Sequence, residues 1–149
     1  MVALPLPKLP DEIAELRDLA LDLRWTWSHE GDALWAQIEE HLWHRTRNPW
    51  LVLQSESTQQ LDRLAADPAF RTKLSQITDA RKRYVERSGW FGDAHGDKRF
   101  GGVAYLSMEF GLGAALPWVA GLRGGRAGDY LKTASNVVVP TVGIGLVYQ

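Results

Sequence analysis

The sequence predicts a mostly α-helical N-terminal unit followed by the first βαβ unit of an incomplete α/β domain. Apolar residues recur at helical spacing as far as about residue 90. From residue 102 the order becomes a short β-type run, a glycine-rich loop, a helix and a second β-type run, which is the order of a βαβ unit. We therefore predict a helical domain over residues 1–90, a linker over 91–101, and the start of a truncated α/β domain over 102–149.

The composition is that of a globular protein. The 149 residues are 45% hydrophobic and 23% charged, with a formal net charge of -1. This charge argues against nucleic acid as a partner, because such binding requires a basic surface. No apolar run is long enough for a membrane span, and the proline-rich start does not fit a signal peptide, so we expect a cytoplasmic protein without a membrane partner. The absence of cysteine excludes disulfides and thiolate metal sites.

Four helices are predicted in the first unit. They cover residues 11–28, 32–43 and 58–66, and a longer stretch that begins after Pro68 and ends near Gly89. Pro49 ends the second helix, because a proline disfavours helical backbone at the residue before it. The stripe of the first helix consists of Ile13, Leu16, Ala20, Leu23 and Trp27.

Tryptophan is unusually abundant in this helical unit. The chain has seven tryptophans, and six of them lie between Trp25 and Trp90. A tryptophan ring buries a large apolar area, and it also stacks on sugar rings. Trp25 and Trp27 are two positions apart, so they lie on different helix faces and cannot form one flat platform. Core packing is the favoured interpretation, and sugar stacking is the alternative.

The second unit reads as an unfinished sheet. Its predicted strands cover residues 102–107 and 140–148, with a helix around 128–137 between them. Two parallel strands cannot cover both of their faces or protect their edges. We therefore expect a truncated chain, or a fold that another chain completes.

Three stretches together carry a resemblance to a known family. They are residues 9–28, residues 64–70, and residues 103–111 (VAYLSMEFG) with the runs that follow at 116–117, 127–135 and 139–148. This order resembles the shorter, bacterial and archaeal type of α-glucan (glycogen or starch) phosphorylase. The resemblance covers nearly the whole chain. It implies a helical N-terminal region followed by the first Rossmann-like, GT-B type glycosyltransferase domain.

The resemblance also implies an activity. The family cleaves terminal glucosyl units from α-1,4-glucans by phosphorolysis, which gives glucose 1-phosphate. Its partners are α-glucan and phosphate, and its cofactor is pyridoxal phosphate, held by a lysine of a C-terminal domain that this chain lacks. Lys132 belongs to a first-domain motif and is not that lysine. We therefore expect no bound cofactor and no catalysis from this chain alone, with the remainder of the enzyme as a further partner.

A glycine-rich loop at residues 120–129 is the candidate active-site element. In the family, backbone N–H groups of this loop face phosphate and sugar, as unpaired N–H groups at a helix start can do. Gly121, Gly124, Gly128 and Asp129 match the family pattern. Leu122 stands where the family has glycine, and Arg123 stands where it has leucine, so we expect impaired ligand approach unless Arg123 contacts the anion.

Glu109 completes the candidate set, since it follows a strand, where α/β folds place ligand-facing residues. A local carboxylate pairing that holds the loop is an equal alternative. Asp93, His95 and Asp97 alternate as potential metal ligands, but they lie in a polar linker and we predict no metal site.

Two functions remain open. The first is an N-terminal segment of an α-1,4-glucan phosphorylase that is inactive by itself. The second is a standalone glucan-binding or regulatory module without catalysis. The complete second strand favours the first, because a standalone module gains nothing from a strand edge with no neighbour to pair.

Overall fold

The structure is a computed structural model that describes residues 7–96, 100–113 and 122–146, with the backbone alone at 122 and 123. The chain divides into two compact units, Met1–Tyr84 and Val85–Gln149. The described parts are mostly helical and include one small parallel sheet. None of the helices in the described ranges is long and apolar enough to cross a membrane.

Short helices build the first unit. A 3-10 helix at Asp11–Ile13 precedes α1 (Leu16–Leu21), α2 (Trp25–Ser28), α3 (Asp32–Ile38), α4 (Glu40–Thr46), α5 (Pro49–Ser55), α6 (Thr58–Ala66) and α7 (Pro68–Glu86). The predicted helices at 58–66 and after Pro68 are confirmed as α6 and α7. The helix α5 was not predicted. The preceding helix already ends at Thr46, because Arg47 adopts left-handed backbone angles. Asn48 is extended, as expected before Pro49, and Pro49 starts α5, where Asn48 accepts hydrogen bonds from the N–H groups of Trp50 and Leu51.

The predicted single helix over residues 11–28 is wrong, because it breaks after Leu21. Asp22 adopts extended backbone angles, with φ -79° and ψ 106°. Its carboxylate accepts hydrogen bonds from the Arg24 backbone N–H at 2.9 Å and from Arg81 Nε at 2.7 Å. A short acidic side chain that bonds the nearby backbone competes with helix continuation, and here that competition ends α1.

The predicted helix over residues 32–43 is likewise two helices. Glu39 separates them with φ -148° and ψ 99°. Its carboxylate oxygen Oε1 lies 3.0 Å from the His41 backbone nitrogen and 3.4 Å from that of Leu42. Glu39 therefore caps α4, and its negative charge lies at the positive end of that helix.

The core of the first unit collects the apolar faces of these helices. Trp35 and Trp43 are each 1% exposed, and their ring centroids are 6.4 Å apart. Trp25 meets Trp43 edge-on at 6.5 Å. Core packing is therefore the role of these three rings. Among the residues that the structure describes, the other large side chains that are fully buried are Ile13, Leu16, Leu34, Pro49, Val52, Leu53, Leu61 and Phe70.

The second unit contains the sheet. Its elements are α8 (Gly89–His95), β1 (Val103–Leu106), α9 (Leu122–Asn136) and β2 (Thr141–Ile144). The strands pair in parallel, with Val103 opposite Thr141 and Leu106 opposite Ile144. The predicted order of strand, helix and parallel strand is confirmed. The segment predicted as a linker, residues 91–101, is in contrast helical as far as His95, since it contains most of α8. The Phe91 backbone N–H donates a hydrogen bond to the Val137 carbonyl oxygen.

Candidate functional site

The chain makes a tight turn directly after β1, held by the Ser107 hydroxyl group. This hydroxyl donates to the Glu109 carbonyl oxygen at 2.7 Å and lies 3.4 Å from the Glu109 backbone nitrogen, from which it accepts. The Glu109 side chain is half-buried, and its carboxylate has no ion-pair partner among the residues described. The turn therefore fixes the backbone of Glu109 at the carboxyl end of β1.

Phe110 anchors the next part of the turn on β2. A Cβ atom on Gly143 would lie 3.2 Å from Phe110 Cζ, and one on Gly145 would lie 3.2 Å from Phe110 Cδ2. These glycines are two positions apart and so face the same side of the strand. The Phe110 ring therefore covers a row of bare backbone. Tyr105 of β1 lies beside it, at 6.0 Å between ring centroids.

Gly111 joins the turn to α9. Its backbone N–H donates to the Gly124 carbonyl at 2.7 Å. A Cβ atom on Gly128 would overlap the Gly111 carbonyl oxygen and would lie 2.6 Å from the Gly111 carbonyl carbon. Gly124 and Gly128 are both buried and one helical turn apart. Together they let the turn after β1 pass directly over the α9 backbone.

The glycine-rich loop predicted at 120–129 is therefore wrong for residues 122–129, which form the first two turns of α9. Glycine costs a helix about 1 kcal/mol relative to alanine, so a pattern of glycines predicted a loop. The close approach of Gly111 explains why glycine is kept within this helix. The third glycine of dinucleotide-binding turns has the same role, because it permits close packing of the helix and does not contact the ligand.

The structure describes the remaining candidate residues, Gly121, Arg123 and Asp129, only in part. Gly121 and the Arg123 side chain lie outside the described residues. The Arg123 backbone belongs to the first turn of α9. Asp129 points to solvent, and one of its carboxylate oxygens lies 3.5 Å from Lys132 Nζ. The structure thus brings the Glu109 turn together with Gly124 and Gly128, whereas Asp129 forms an exposed ion pair.

The arrangement presents a helix start beside the carboxyl end of β1. The first backbone N–H groups of an α-helix have no partner within the helix, and the helix dipole favours anions there. In α/β folds, ligands bind beyond the carboxyl ends of the strands. The hydrogen bond from Gly111 to Gly124 places the start of α9 at that end of β1. The geometry suits an anionic or polar ligand.

Sequence reasoning missed three residues that build this site, namely Ser107, Phe110 and Gly111. Their motif was recognised, but no role was assigned to them. The alternation of Gly143 in β2 with Gly145 just beyond the strand was the available signal, because an aromatic ring can pack against backbone that carries no side chains. In the described part of the chain, no group of three or more His, Asp or Glu side chains is arranged to hold a metal ion.

The comparison with known families decides the classification. The family described as "Protein of unknown function (DUF3417)" matches residues 9–116, which is most of the chain. The chain belongs to this family. No solved structure gives a significant match.

Most of the chain is also similar to a segment of several phosphorylases. The chain is 34% identical over 143 residues to the maltodextrin phosphorylase of Thermococcus litoralis and 33% identical over 147 residues to the glycogen phosphorylase of Mycobacterium tuberculosis. Each match covers 95% of this chain and 17% of the relative. The glycogen phosphorylase of Aquifex aeolicus is 31% identical over 134 residues, or 89% of this chain and 18% of that protein.

The chain therefore spans about a sixth of the length of these curated relatives. It matches an N-terminal segment of these phosphorylases. The resemblance predicted from the motifs is confirmed.

Proposed function

We propose that this chain supplies the N-terminal segment of an α-1,4-glucan phosphorylase acting on glycogen, starch or maltodextrin. In that reaction a phosphate oxygen bonds to C1 of the terminal glucosyl unit. The C1–O bond to the next sugar breaks, a proton passes to the leaving oxygen, and glucose 1-phosphate is released. The observation that carries the proposal is the match of 95% of this chain to two phosphorylases acting on two named glucans.

The second unit would begin the Rossmann-like, GT-B type domain of that enzyme. Its parallel strands with α9 between them support this assignment. So does Gly128, which has the packing role of a glycine in a strand-to-helix turn. In this proposal the boundary segment at 91–101 joins the helical domain to the α/β domain.

The start of α9 and the Glu109 turn would form one wall of the active site. Backbone N–H groups in the first turn of α9 would donate to the phosphate or the sugar, with Gly121 and Gly124 leaving room for close approach. Arg123 would add a positive charge beside the anion. Glu109, fixed by Ser107, would accept hydrogen bonds from sugar hydroxyls. Asp129 would stay a surface residue paired with Lys132.

Pyridoxal phosphate, when bound in an enzyme of this family, supplies a phosphate group that assists proton transfer. Two of the described lysines already have partners on this chain. Lys132 is paired with Asp129, which is three positions away on the outer surface of α9. Lys73 donates to Gln37 on the exposed surface of the helical unit. We therefore propose that the cofactor is held entirely by the remaining part of a full-length enzyme.

A chimera tests this function. Residues 1–149 would replace the matched N-terminal segment of the Thermococcus litoralis maltodextrin phosphorylase, and release of glucose 1-phosphate from maltodextrin and phosphate would be measured. The proposal expects phosphorolysis from the chimera and none from residues 1–149 alone. A folded chimera without phosphorolysis, even after positions 122 and 123 are restored to the family pattern, would refute the proposal.

One observation favours the second candidate, a glucan-binding module. Trp90 is 60% exposed on α8, where it meets His95 edge-on at 5.5 Å. An exposed tryptophan with a polar neighbour suits stacking on a sugar ring. Slower migration of residues 1–149 in gels that contain glycogen, abolished by Trp90→Ala, would support this role. Unchanged migration would argue against it.

A further inference from the structure

The carboxyl end of α9 is held by a segment that precedes it in the chain. We call residues 87–91 the α9 clamp. Arg87 Nη2 donates hydrogen bonds to the Ser135 carbonyl oxygen at 3.0 Å and to the Asn136 carbonyl oxygen at 2.9 Å. The last carbonyl groups of a helix have no partner within the helix, and the helix dipole makes a positive charge favourable there. Arg87 supplies both the hydrogen-bond donor and the charge.

The backbone at which α9 ends is unfavourable by itself. The Val138 N–H donates to the Ser135 carbonyl at 3.3 Å and the Val139 N–H to the Ala134 carbonyl at 2.9 Å, which is the hydrogen-bond pattern of a Schellman motif. Glycine usually occupies the position of Val138 in this motif, because the backbone there is left-handed. Val138 adopts φ 59° although its side chain is β-branched. Contacts from outside the helix therefore hold this end in its conformation.

The α9 clamp provides those contacts. Gly89 adopts φ 62° and leaves room for the Val138 side chain, since a Cβ atom on Gly89 would lie 2.8 Å from Val138 Cβ. The Val137 carbonyl oxygen accepts a hydrogen bond of 3.1 Å from the Phe91 backbone N–H. Together with the two bonds from Arg87, these contacts reach each residue from 135 to 138.

The opposite end of α9 lies at the candidate site, where the Gly111 N–H donates to the Gly124 carbonyl at 2.7 Å. The helix has 15 residues and is therefore about 22 Å long. A helix moves largely as one body, so a tilt at its carboxyl end displaces the N–H groups at its start. Groups that bind a reactant act well only when they are held close to their productive positions. The α9 clamp and Gly111 fix the two ends of this helix.

We propose that Arg87 is a positioning residue for phosphate, because through α9 it holds the N–H groups at the start of that helix where they meet the anion. This inference rests on the proposed function. Arg87 acts through the helix from the end away from the ligand. Its loss therefore weakens the binding of phosphate and leaves the chemical step nearly unchanged, which is the kinetic signature of a lost ground-state interaction.

Steady-state kinetics of the chimera tests this role, at a temperature well below the Tm of each variant. Arg87→Met removes the donors and the charge, and Arg87→Lys keeps a charged donor on a shorter side chain. The matched control is Ser88→Ala, because the Ser88 hydroxyl bonds to Asp93 within the α8 region and not to α9. We expect Arg87→Met to raise the KM for phosphate at least about fivefold and to change kcat by less than about twofold. Arg87→Lys should raise this KM less, and Ser88→Ala should leave it unchanged.

An unchanged KM for phosphate in folded Arg87→Met would overturn the proposal, because Arg87 would then only stabilise the fold. An equal rise in Ser88→Ala would also overturn it, since the effect would not depend on the contact with α9.

Hydrogen exchange of residues 1–149 gives a second readout that needs no activity. We expect Arg87→Met to speed exchange at the amides of 126–132 as well as at those of 137–139. Faster exchange confined to 137–139 would overturn the proposal, because the helix start would then not depend on Arg87. A chimera without phosphorolysis refutes the proposed function, and the exchange pattern still decides whether Arg87 positions α9.

Discussion

The Gly111 carbonyl group lies against Gly128, in the space that any side chain at position 128 would need. The Gly111 N–H simultaneously donates to the Gly124 carbonyl at 2.7 Å. This contact joins the turn after β1 to the first turns of α9. It therefore sets the position of Glu109 relative to the helix start, and it can be tested by filling the space.

Gly128→Ala should destabilise the second unit by about 1–3 kcal/mol, because the added methyl group displaces backbone and not a flexible side chain. The control is Gly125→Ala in the same helix, where nothing lies within 4 Å of the added Cβ atom. That substitution should stabilise α9 by about 0.5–1 kcal/mol. Hydrogen exchange of the amides in 122–136 measures both effects. Equal protection in the two variants would contradict the contact.

Glu56 makes stability depend on pH. Its pKa is raised from the ordinary value by partial burial and, secondarily, by the negative charge of Glu39. A raised pKa in the folded state means that the fold binds the proton more tightly than the unfolded chain does. The stability from this group is complete below pH 4.5, the ordinary value, and is lost as pH rises through the raised pKa.

Glu56→Gln should therefore raise the Tm at pH 7 by up to about 3 °C and leave it unchanged near pH 4. Thermal unfolding followed by tryptophan fluorescence measures this difference. The control is Glu86→Gln, an exposed glutamate at the end of α7. A benefit of Glu56→Gln that persists undiminished at pH 4 would show that burial and Glu39 are not its cause.

The helical unit should outlast the second unit under limited proteolysis. Nearly all buried large apolar side chains in the described residues belong to it, whereas the buried apolar side chains described in the second unit are those of Ala127 and Ala134. Regions with few buried apolar contacts open more easily. We expect early cleavage between residues 92 and 99 and then loss of the C-terminal part. Survival of 100–149 with degradation of the helices would reverse this order.

Periodicity predicted the helices of the first unit better than their ends. Of the predicted stripe, Ile13, Leu16 and Ala20 are buried, whereas Leu23, which lies beyond the break at Asp22, is 41% exposed. The helix breaks at Asp22 and Glu39 were not predicted, because each break depends on which N–H groups donate hydrogen bonds to the carboxylate. The backbone donors of Glu39 are local, but Arg81 lies 59 positions from Asp22, a distance that no local pattern reveals.

The candidate site shows a similar division. The order of β1, α9 and β2 was predictable from the two runs of β-type residues and the helical pattern around 128–137, although the glycine-rich first turns of α9 were predicted as a loop. The role of Gly128 was not predictable, because it depends on the backbone of Gly111, which approaches only in the folded chain. The glycine pattern alone could not distinguish a glycine that leaves room for a ligand from one that leaves room for another segment of the backbone.

The departures at positions 122 and 123 should impair the active site. Leu122 adds a side chain where the family resemblance implies bare backbone, and Arg123 adds a charge that must find an anion or water. In the chimera, the double change Leu122→Gly with Arg123→Leu should raise kcat/KM by at least about tenfold, equivalent to roughly 1.4 kcal/mol of transition-state stabilisation. An unchanged kcat/KM would show that the helix start tolerates both residues.

The most direct test of the central claim is the rate at which the chimera forms glucose 1-phosphate from maltodextrin and inorganic phosphate. It is measured beside the parent enzyme and beside the remaining polypeptide expressed without any N-terminal segment. We predict phosphorolysis from the chimera and none from the remaining polypeptide alone. A chimera that folds like the parent yet forms no glucose 1-phosphate, with or without the changes at 122 and 123, would contradict the claim that this chain is a phosphorylase segment.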